Sequence, residues 1–101
     1  MKGVFWLVSF EKLLGMEVIS SKARILGEVK GLEINTENWK TTNLHVKLDN
    51  EVAVKLGFKK RFRSSKICLP ISFVKAVGEV ITLNASYDDL SVAAGITECK
   101  V

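Results

Sequence analysis

The sequence predicts an all-β protein with one or two short helices, folded as a small barrel of five to six strands. Hydrophobic residues make up 48% of the 101 residues, and only one residue is proline, which is typical of a globular chain rather than a disordered one. A chain of this length buries roughly 65% of its unfolded surface, which is enough for one modest core. Short alternating runs separated by turn-forming residues are typical of small barrels and sandwiches.

A helical turn and a short strand open the predicted fold. Ser9 stands where it would cap a turn over residues 10–14, and Gly15 is expected to end that turn in a left-handed conformation. Residues 16–20 alternate between apolar and polar side chains, which predicts a strand. The polar residues 20–24 then predict a turn.

A longer strand is predicted over residues 25–35. Its alternation is interrupted, because Val29 and Leu32 have opposite parity. Gly31 lies between them, where a β-bulge would restore the phase and bend the strand. Closing a small barrel requires such a bend.

The clearest strand covers residues 41–48 and follows a predicted turn over residues 35–38. Its strict alternation indicates that one face lies in the core and the other faces outward. The residues expected in the core are Leu44, Val46 and Leu48, and those expected to face outward are Asn43, His45 and Lys47.

The second half of the chain predicts a short helix and two more strands. Residues 49–51 are typical of a helix start, and Gly57 would end that helix. After a basic loop, alternation over residues 66–71 predicts a strand. Residues 72–77 predict a turn of helix, and residues 79–83 predict a final short strand.

No linker or internal repeat divides the chain. We assign residues 1–12 to an N-terminal apolar segment that forms a strand or an interface. Residues 13–90 then form the barrel, and residues 91–101 form a C-terminal tail without strong periodicity.

No residue pattern predicts catalysis. His45, the single histidine, has no Cys, Asp or Glu at ligand spacing in its local sequence, so we expect a solvated surface side chain. Cys68 and Cys99 are too few for a disulfide framework or a tetrahedral metal site, and we expect Cys68 to be buried. The glycines are dispersed and form no phosphate-binding loop. The sequence therefore predicts a protein that is not an enzyme and has no catalytic residues, no metal and no cofactor.

Charge is unevenly spread along the chain. The net charge is +4, and residues 52–78 carry seven basic residues and no acidic one. This segment is either a surface that binds anions, nucleic acid included, or a solvated loop. Trp39 is either an exposed anchor at an interface or a residue at the edge of the core. The candidate residues for binding a partner or an anion are Trp39, Lys59, Lys60, Arg61, Arg63 and Lys66.

The N-terminal segment is strongly apolar. Its apolar run is short for a signal peptide, and no stretch approaches the ~20 apolar residues of a membrane span. We therefore expect a cytoplasmic protein that uses this run for self-association as a homodimer. The candidate self-association residues are Val4, Phe5, Trp6, Leu7 and Val8.

Four segments together resemble the PRC-barrel domain family. They are Leu-Leu-Gly-Met-Glu-Val-Ile at 13–19, Leu-Gly-Glu-Val-Lys-Gly-Leu-Glu-Ile-Asn at 26–35, Lys-Ile-Cys-Leu-Pro-Ile at 66–71 and Val-Gly-Glu-Val-Ile-Thr-Leu at 77–83. The chain departs from the family pattern at Gly31 and Leu32, where an acidic residue is frequent. The family has no shared catalytic residues.

The resemblance is greatest to the small stand-alone PRC-barrels of archaea. Some of these are implicated in cell division, where they bind the archaeal counterpart of the division-ring membrane anchor. The resemblance therefore implies a non-catalytic protein-binding adaptor in archaeal cell division, recruited to the division site by its partner. The alternative is an RNA- or ribosome-associated maturation factor that uses the basic loop 59–66.

Overall fold

A computed structural model describes residues 9–55, 66–92 and 96–98, with the side chains at 87, 91, 92, 97 and 98 left out. The helices are α1 (Phe10–Leu13), α2 (Asn50–Lys55) and α3 (Tyr87–Val92), together with a 3₁₀ turn at Ile71–Phe73. The strands are β1 (Glu17–Ile19), β2 (Ile25–Asn35), β3 (Lys40–Leu48), β4 (Lys66–Pro70), β5 (Val74–Val77), β6 (Ile81–Leu83) and β7 (Thr97–Glu98).

The described strands form one sheet in the order β5-β6-β1-β2-β3-β4-β7. The β1–β6 pairing is parallel, and the other pairings are antiparallel. The β2–β3 hairpin is the central and longest unit of this sheet. This small barrel-like arrangement confirms the predicted all-β fold class.

The start of the described chain follows its prediction closely. The Ser9 hydroxyl accepts a hydrogen bond from the Lys12 backbone N–H at 3.2 Å, and Gly15 has a φ of +81°. The Gly15 N–H then donates to the Val29 carbonyl at 2.9 Å, which ties α1 to β2. The predicted cap and left-handed stop are confirmed.

The helical turn predicted over residues 72–77 is wrong. The chain makes a 3₁₀ turn only as far as Phe73 and then enters β5, which pairs with β6. Asn84 fixes this change of direction, because its side-chain amide donates to the Ser72 carbonyl and its backbone N–H donates to the Phe73 carbonyl, at 2.8 and 2.9 Å. Two backbone acceptors that a longer helix would use are satisfied by this one asparagine.

The core lies on the inner face of the sheet. Leu44, Val46 and Leu48 are at most 3% exposed, so the predicted inner face of β3 is confirmed. Leu90 in α3 and Ile96 before β7 are each 3% exposed, which shows that the C-terminal part of the chain contributes to the core. The largest fully buried side chains are Val18, Ser20, Leu26, Val29, Val46, Leu69, Ile81 and Leu83.

Two β-bulges shape the central hairpin. Between Val29 and Gly31 the register with β3 shifts by one, so that Lys30 is an extra residue on β2. A second shift leaves Thr42 as an extra residue on β3. The bulge predicted near Gly31 is therefore confirmed. Between the two bulges, Gly31 pairs with His45 and Glu33 pairs with Asn43.

Candidate functional site

The tip of the β2–β3 hairpin is a turn held by two asparagine side chains. The Asn35 side-chain oxygen accepts from the Glu37 N–H at 2.9 Å, and the Asn38 side-chain oxygen accepts from the Lys40 N–H at 3.0 Å. Asparagine favours turns because its side chain can replace a backbone acceptor in this way. The turn is thus fixed by local hydrogen bonds on both of its sides.

Trp39 projects from this turn in an unusual conformation. Its φ is +57°, in the left-handed region, and 76% of its surface is exposed. A bulky residue in this region is an outlier, and such outliers are concentrated at functional sites. Trp39 is therefore exposed and not packed at the edge of the core, and its role as an interface anchor stays a prediction.

The structure does not bring Trp39 together with the other described candidate, Lys66. Lys66 begins β4 and pairs with Lys47, near the C-terminal end of β3. Trp39 lies at the other end of this strand, directly before its first residue, Lys40. At 3.3 Å per residue the two ends of β3 are about 25 Å apart. The remaining candidates, Lys59, Lys60, Arg61 and Arg63 of the basic loop and residues 4–8 of the apolar run, lie outside the described residues.

A second group of functional side chains lies on the outer face of the sheet, and we call Glu33, His45 and Cys68 the outer-face cluster. Their ligand-type atoms all lie within 4.8 Å of one another. Register explains the meeting, since His45 on β3 pairs with Gly31 of β2 on one side and with Cys68 of β4 on the other. Gly31 has no side chain, which leaves the space above it open to Glu33 and His45.

The prediction of a solvated His45 is wrong, because only 15% of its side chain is exposed. The prediction that Cys68 is buried is confirmed at 6% exposure. Sequence reasoning missed the cluster because its residues are separated by 12 and 23 positions. Only the strand pairing, with its bulge at Lys30, would have revealed it.

Hydrogen bonds orient the Glu33 carboxylate. Its Oε1 accepts from the Asn43 side-chain amide at 2.7 Å, and its Oε2 accepts from the Cys68 thiol at 3.6 Å. The His45 Nε2 lies 3.2 Å from the same Oε2. The contact with His45 holds the pKa of Glu33 below its usual value, with smaller effects from Asn43 and Cys68, while burial acts in the opposite direction. The carboxylate is therefore ionised at neutral pH.

One nitrogen of the His45 imidazole lacks a hydrogen-bond partner among the described residues. Its Nε2 is buried, and among the described residues no group makes a hydrogen bond to it with acceptable geometry. The 3.2 Å approach to Glu33 is close enough for an ion pair, but its direction is unsuitable for a hydrogen bond. A buried nitrogen in this state calls for an explanation, such as local strain, a bound water or ion, or a functional role.

No helix in the described ranges has the length and apolar character needed to cross a membrane.

Comparison with known proteins identifies the family of the chain. A search of curated proteins found no match. The family of PRC-barrel domains, in contrast, matches residues 7–90, which include α1, α2 and β1 to β6. The chain therefore belongs to the PRC-barrel domain family.

Proposed function

We propose that this protein is a non-catalytic adaptor that binds another protein through the tip of the β2–β3 hairpin, with Trp39 as the anchor. The observation that carries this function is the exposure of Trp39, 76%, in a left-handed backbone conformation. Tryptophan is among the residues that dominate the binding energy of protein interfaces. The partner would supply an apolar pocket that removes the indole ring from water.

The left-handed conformation of Trp39 costs free energy. A non-glycine residue in the left-handed region is destabilised by about 1–2 kcal/mol. Replacing Trp39 with asparagine or glycine would relieve this cost, and the exposed ring gives little burial in return. A binding role accounts for a tryptophan at this position.

The turn is also suited to display the ring. The hydrogen bonds of Asn35 and Asn38 fix the backbone on both sides of the tip before any partner arrives. A fixed turn loses less conformational entropy on binding than a mobile one, and this raises the affinity obtained from a given contact.

The outer-face cluster supports the non-catalytic part of the proposal. In a nucleophilic triad the imidazole lies between the carboxylate and the nucleophile. Here the Cys68 Sγ and the His45 Nε2 both lie close to Glu33 Oε2, at 3.6 and 3.2 Å. This arrangement, in which both groups approach the same carboxylate oxygen, differs from the imidazole-centred order of a triad.

Archaeal cell division is the cellular setting that we propose, because the chain resembles the small stand-alone PRC-barrels found there. The partner would be the membrane-anchor protein of the division ring, and it would recruit this protein from the cytoplasm. Self-association through residues 4–8 completes the proposal, and light scattering over a range of protein concentrations tests it. A strictly monomeric protein at every concentration would exclude the dimer.

The experiment compares two truncations of exposed apolar residues. Wild-type protein, Trp39→Ala and Val54→Ala are used to capture partners from the native lysate, with nuclease and high-salt washes, and the affinity of the captured partner is measured by calorimetry. Val54 on α2 is 62% exposed and serves as the matched control. We expect Trp39→Ala to weaken binding at least about 30-fold, as for a central anchor, and Val54→Ala to leave it unchanged.

Two outcomes would contradict the proposal. Equal capture by Trp39→Ala and wild type would exclude the hairpin tip as the interface. Capture of ribosomal proteins or RNA that disappears in high salt or with nuclease would favour the maturation-factor alternative, because phosphate contacts weaken steeply with ionic strength.

A further inference from the structure

The outer-face cluster presents three different ligand atoms to one point. Glu33 supplies a carboxylate oxygen, His45 an imidazole nitrogen and Cys68 a thiol sulfur, and all lie within 4.8 Å of one another. Each comes from a different one of three adjacent strands, so the sheet itself fixes their spacing. Sites on strands hold their side chains more rigidly than sites on loops.

The spacing agrees with tetrahedral coordination of zinc. With Zn–N and Zn–O bonds of about 2.1 Å and a Zn–S bond of about 2.3 Å, the edges of the tetrahedron are about 3.4 Å for N–O and about 3.6 Å for S–O. The corresponding distances are 3.2 Å between His45 Nε2 and Glu33 Oε2, and 3.6 Å between Cys68 Sγ and the same oxygen. Both distances therefore lie within about 0.2 Å of the edges that a shared zinc ion would set.

A bound zinc ion would account for the missing hydrogen bond of His45 Nε2. Its buried Nε2 finds no hydrogen-bond partner among the described residues, although a carboxylate oxygen is 3.2 Å away. A buried nitrogen left without a hydrogen bond is unfavourable, because the nitrogen has lost its contact with water and gained no partner. A cation bound by both atoms would satisfy the nitrogen and the oxygen together.

Neighbouring residues provide the supports that metal ligands normally have. Asn43 donates to Glu33 Oε1 at 2.7 Å and leaves Oε2 directed toward the other two ligands. The Asn43 amide nitrogen also lies 3.2 Å from the Thr42 hydroxyl, which itself donates to the Glu33 carbonyl at 3.3 Å. Outer contacts of this kind orient ligands and tune metal affinity.

We propose that Glu33, His45 and Cys68 bind a zinc ion on the outer face of the sheet, with water as the fourth ligand. A sulfur, nitrogen and oxygen donor set favours zinc over calcium and magnesium, which prefer all-oxygen sites. Zinc replaces the thiol proton of Cys68, and the carboxylate and the thiolate together balance its charge. The zinc site is independent of the Trp39 interface, and either assignment can fail without the other.

The test uses tag-free, metal-stripped protein titrated with cobalt(II) and then with zinc. Cobalt bound to a thiolate shows a charge-transfer absorption band, and tetrahedral cobalt shows strong visible bands. We expect one cobalt per wild-type chain with both features, displaced by an equimolar amount of zinc. Cys68→Ser should remove the charge-transfer band and weaken binding at least about 100-fold, beyond the effect of losing an outer contact.

Further variants keep the result interpretable if one of them unfolds. Glu33→Gln changes almost no volume and should also weaken binding at least about 100-fold, whereas Asn43→Ala should weaken it about 10- to 100-fold and retain the thiolate band. Glu28→Gln is the matched control on the same strand and should bind as wild type. Cys99→Ser should leave the thiolate band intact, and circular dichroism confirms folding in each case.

Three results would each overturn the zinc site. Cobalt that remains octahedral in wild-type protein would exclude tetrahedral binding by this cluster. Loss of the thiolate band in Cys99→Ser but not in Cys68→Ser would place the ion elsewhere. Glu33→Gln with wild-type affinity would show that the carboxylate is not a ligand.

Discussion

The two faces of the β2–β3–β4 sheet are built from the same paired strands but differ in the burial and polarity of their side chains. On the inner face Leu44 pairs with Leu69 and Val46 pairs with Ile67, and all four side chains are at most 3% exposed. On the outer face the row between them pairs His45 with Cys68. The inner face stabilises the fold by removing apolar surface from water, whereas the outer face gathers polar groups that can bind an ion.

The side chains of the inner face are brought together by the hydrophobic period of the sequence, whereas those of the outer face are brought together by the register of strand pairing. Any register of the right parity would bury the alternating apolar residues of β3. Only one register sets Glu33, His45 and Cys68 together, and that register depends on the extra residue Lys30 in β2.

The largest expected effect on stability comes from truncating an apolar side chain of the inner face, compared with its neighbour on the outer face. Leu69→Ala should lower the free energy of unfolding by about 2–5 kcal/mol, because it leaves a cavity among side chains that are fully buried. Cys68→Ala, one residue away on the other face, should cost only about 1 kcal/mol in metal-free protein, since the hydrogen bond of the thiol to Glu33 is weak and little volume is removed. Urea unfolding with a chelator present measures both values.

Equal losses in the two variants would contradict this contrast between the faces. A Cys68→Ala variant as unstable as Leu69→Ala would show that the outer face also carries the stability of the fold. Repeating the unfolding with zinc present should increase the stability of the wild type and leave that of Cys68→Ala unchanged, because a ligand stabilises only the state that binds it.

The contrast between the faces also explains which elements were predictable from the sequence. The buried residues Leu44, Val46 and Leu48 follow from the local alternation of β3, and the bounds of β2 follow from the turn-forming residues on either side of it. The Ser9 cap and the Gly15 stop follow from the conformational preferences of single residues. Each of these features is decided by residues that are neighbours in the sequence.

The features that the sequence failed to predict depend on contacts between residues that are distant in the sequence. Residues 74–77 form β5 because Asn84 holds the preceding turn and β6 offers a partner. His45 is nearly buried because Glu33 and Cys68 reach it from two other strands. The position of Trp39 after a turn predicted two alternatives, and only the geometry of the hairpin tip decides between them.

A smaller effect is expected from adding a methyl group at the two glycines of β2. A Cβ at Gly27 would fall on the backbone of β3, at the Lys47 carbonyl oxygen and 2.8 Å from the Leu48 Cα, so the strands would have to separate. Gly27→Ala should therefore cost at least about 1–3 kcal/mol. A Cβ at Gly31 would lie 3.3 Å from the His45 Nδ1, which is a side-chain atom and would need to shift by only a few tenths of an ångström.

Gly31→Ala should change the free energy of unfolding by less than about 1 kcal/mol, since a shift of the His45 ring is offset by the lower entropy of the unfolded chain. The two variants are compared by urea unfolding in metal-free protein. A loss at Gly31 as large as that at Gly27 would show that the His45 ring is held as firmly as the backbone.

The smallest expected effect concerns the exposed ion pair beside the bulge. The hydrogen bond and charge of Lys30, 2.8 Å away, hold the pKa of Glu28 below its usual value, and Lys47 adds to this. A depressed pKa contributes stability above the unfolded value of about 4.3 and loses it as pH falls through the folded value. Both side chains are over 40% exposed, so salt screens this contribution and it stays small. Lys30→Ala should raise the pKa toward its usual value in a carboxyl NMR titration. An unchanged titration would mean that Lys30 does not reach Glu28, and the bulge that also positions the outer-face cluster would then be in question.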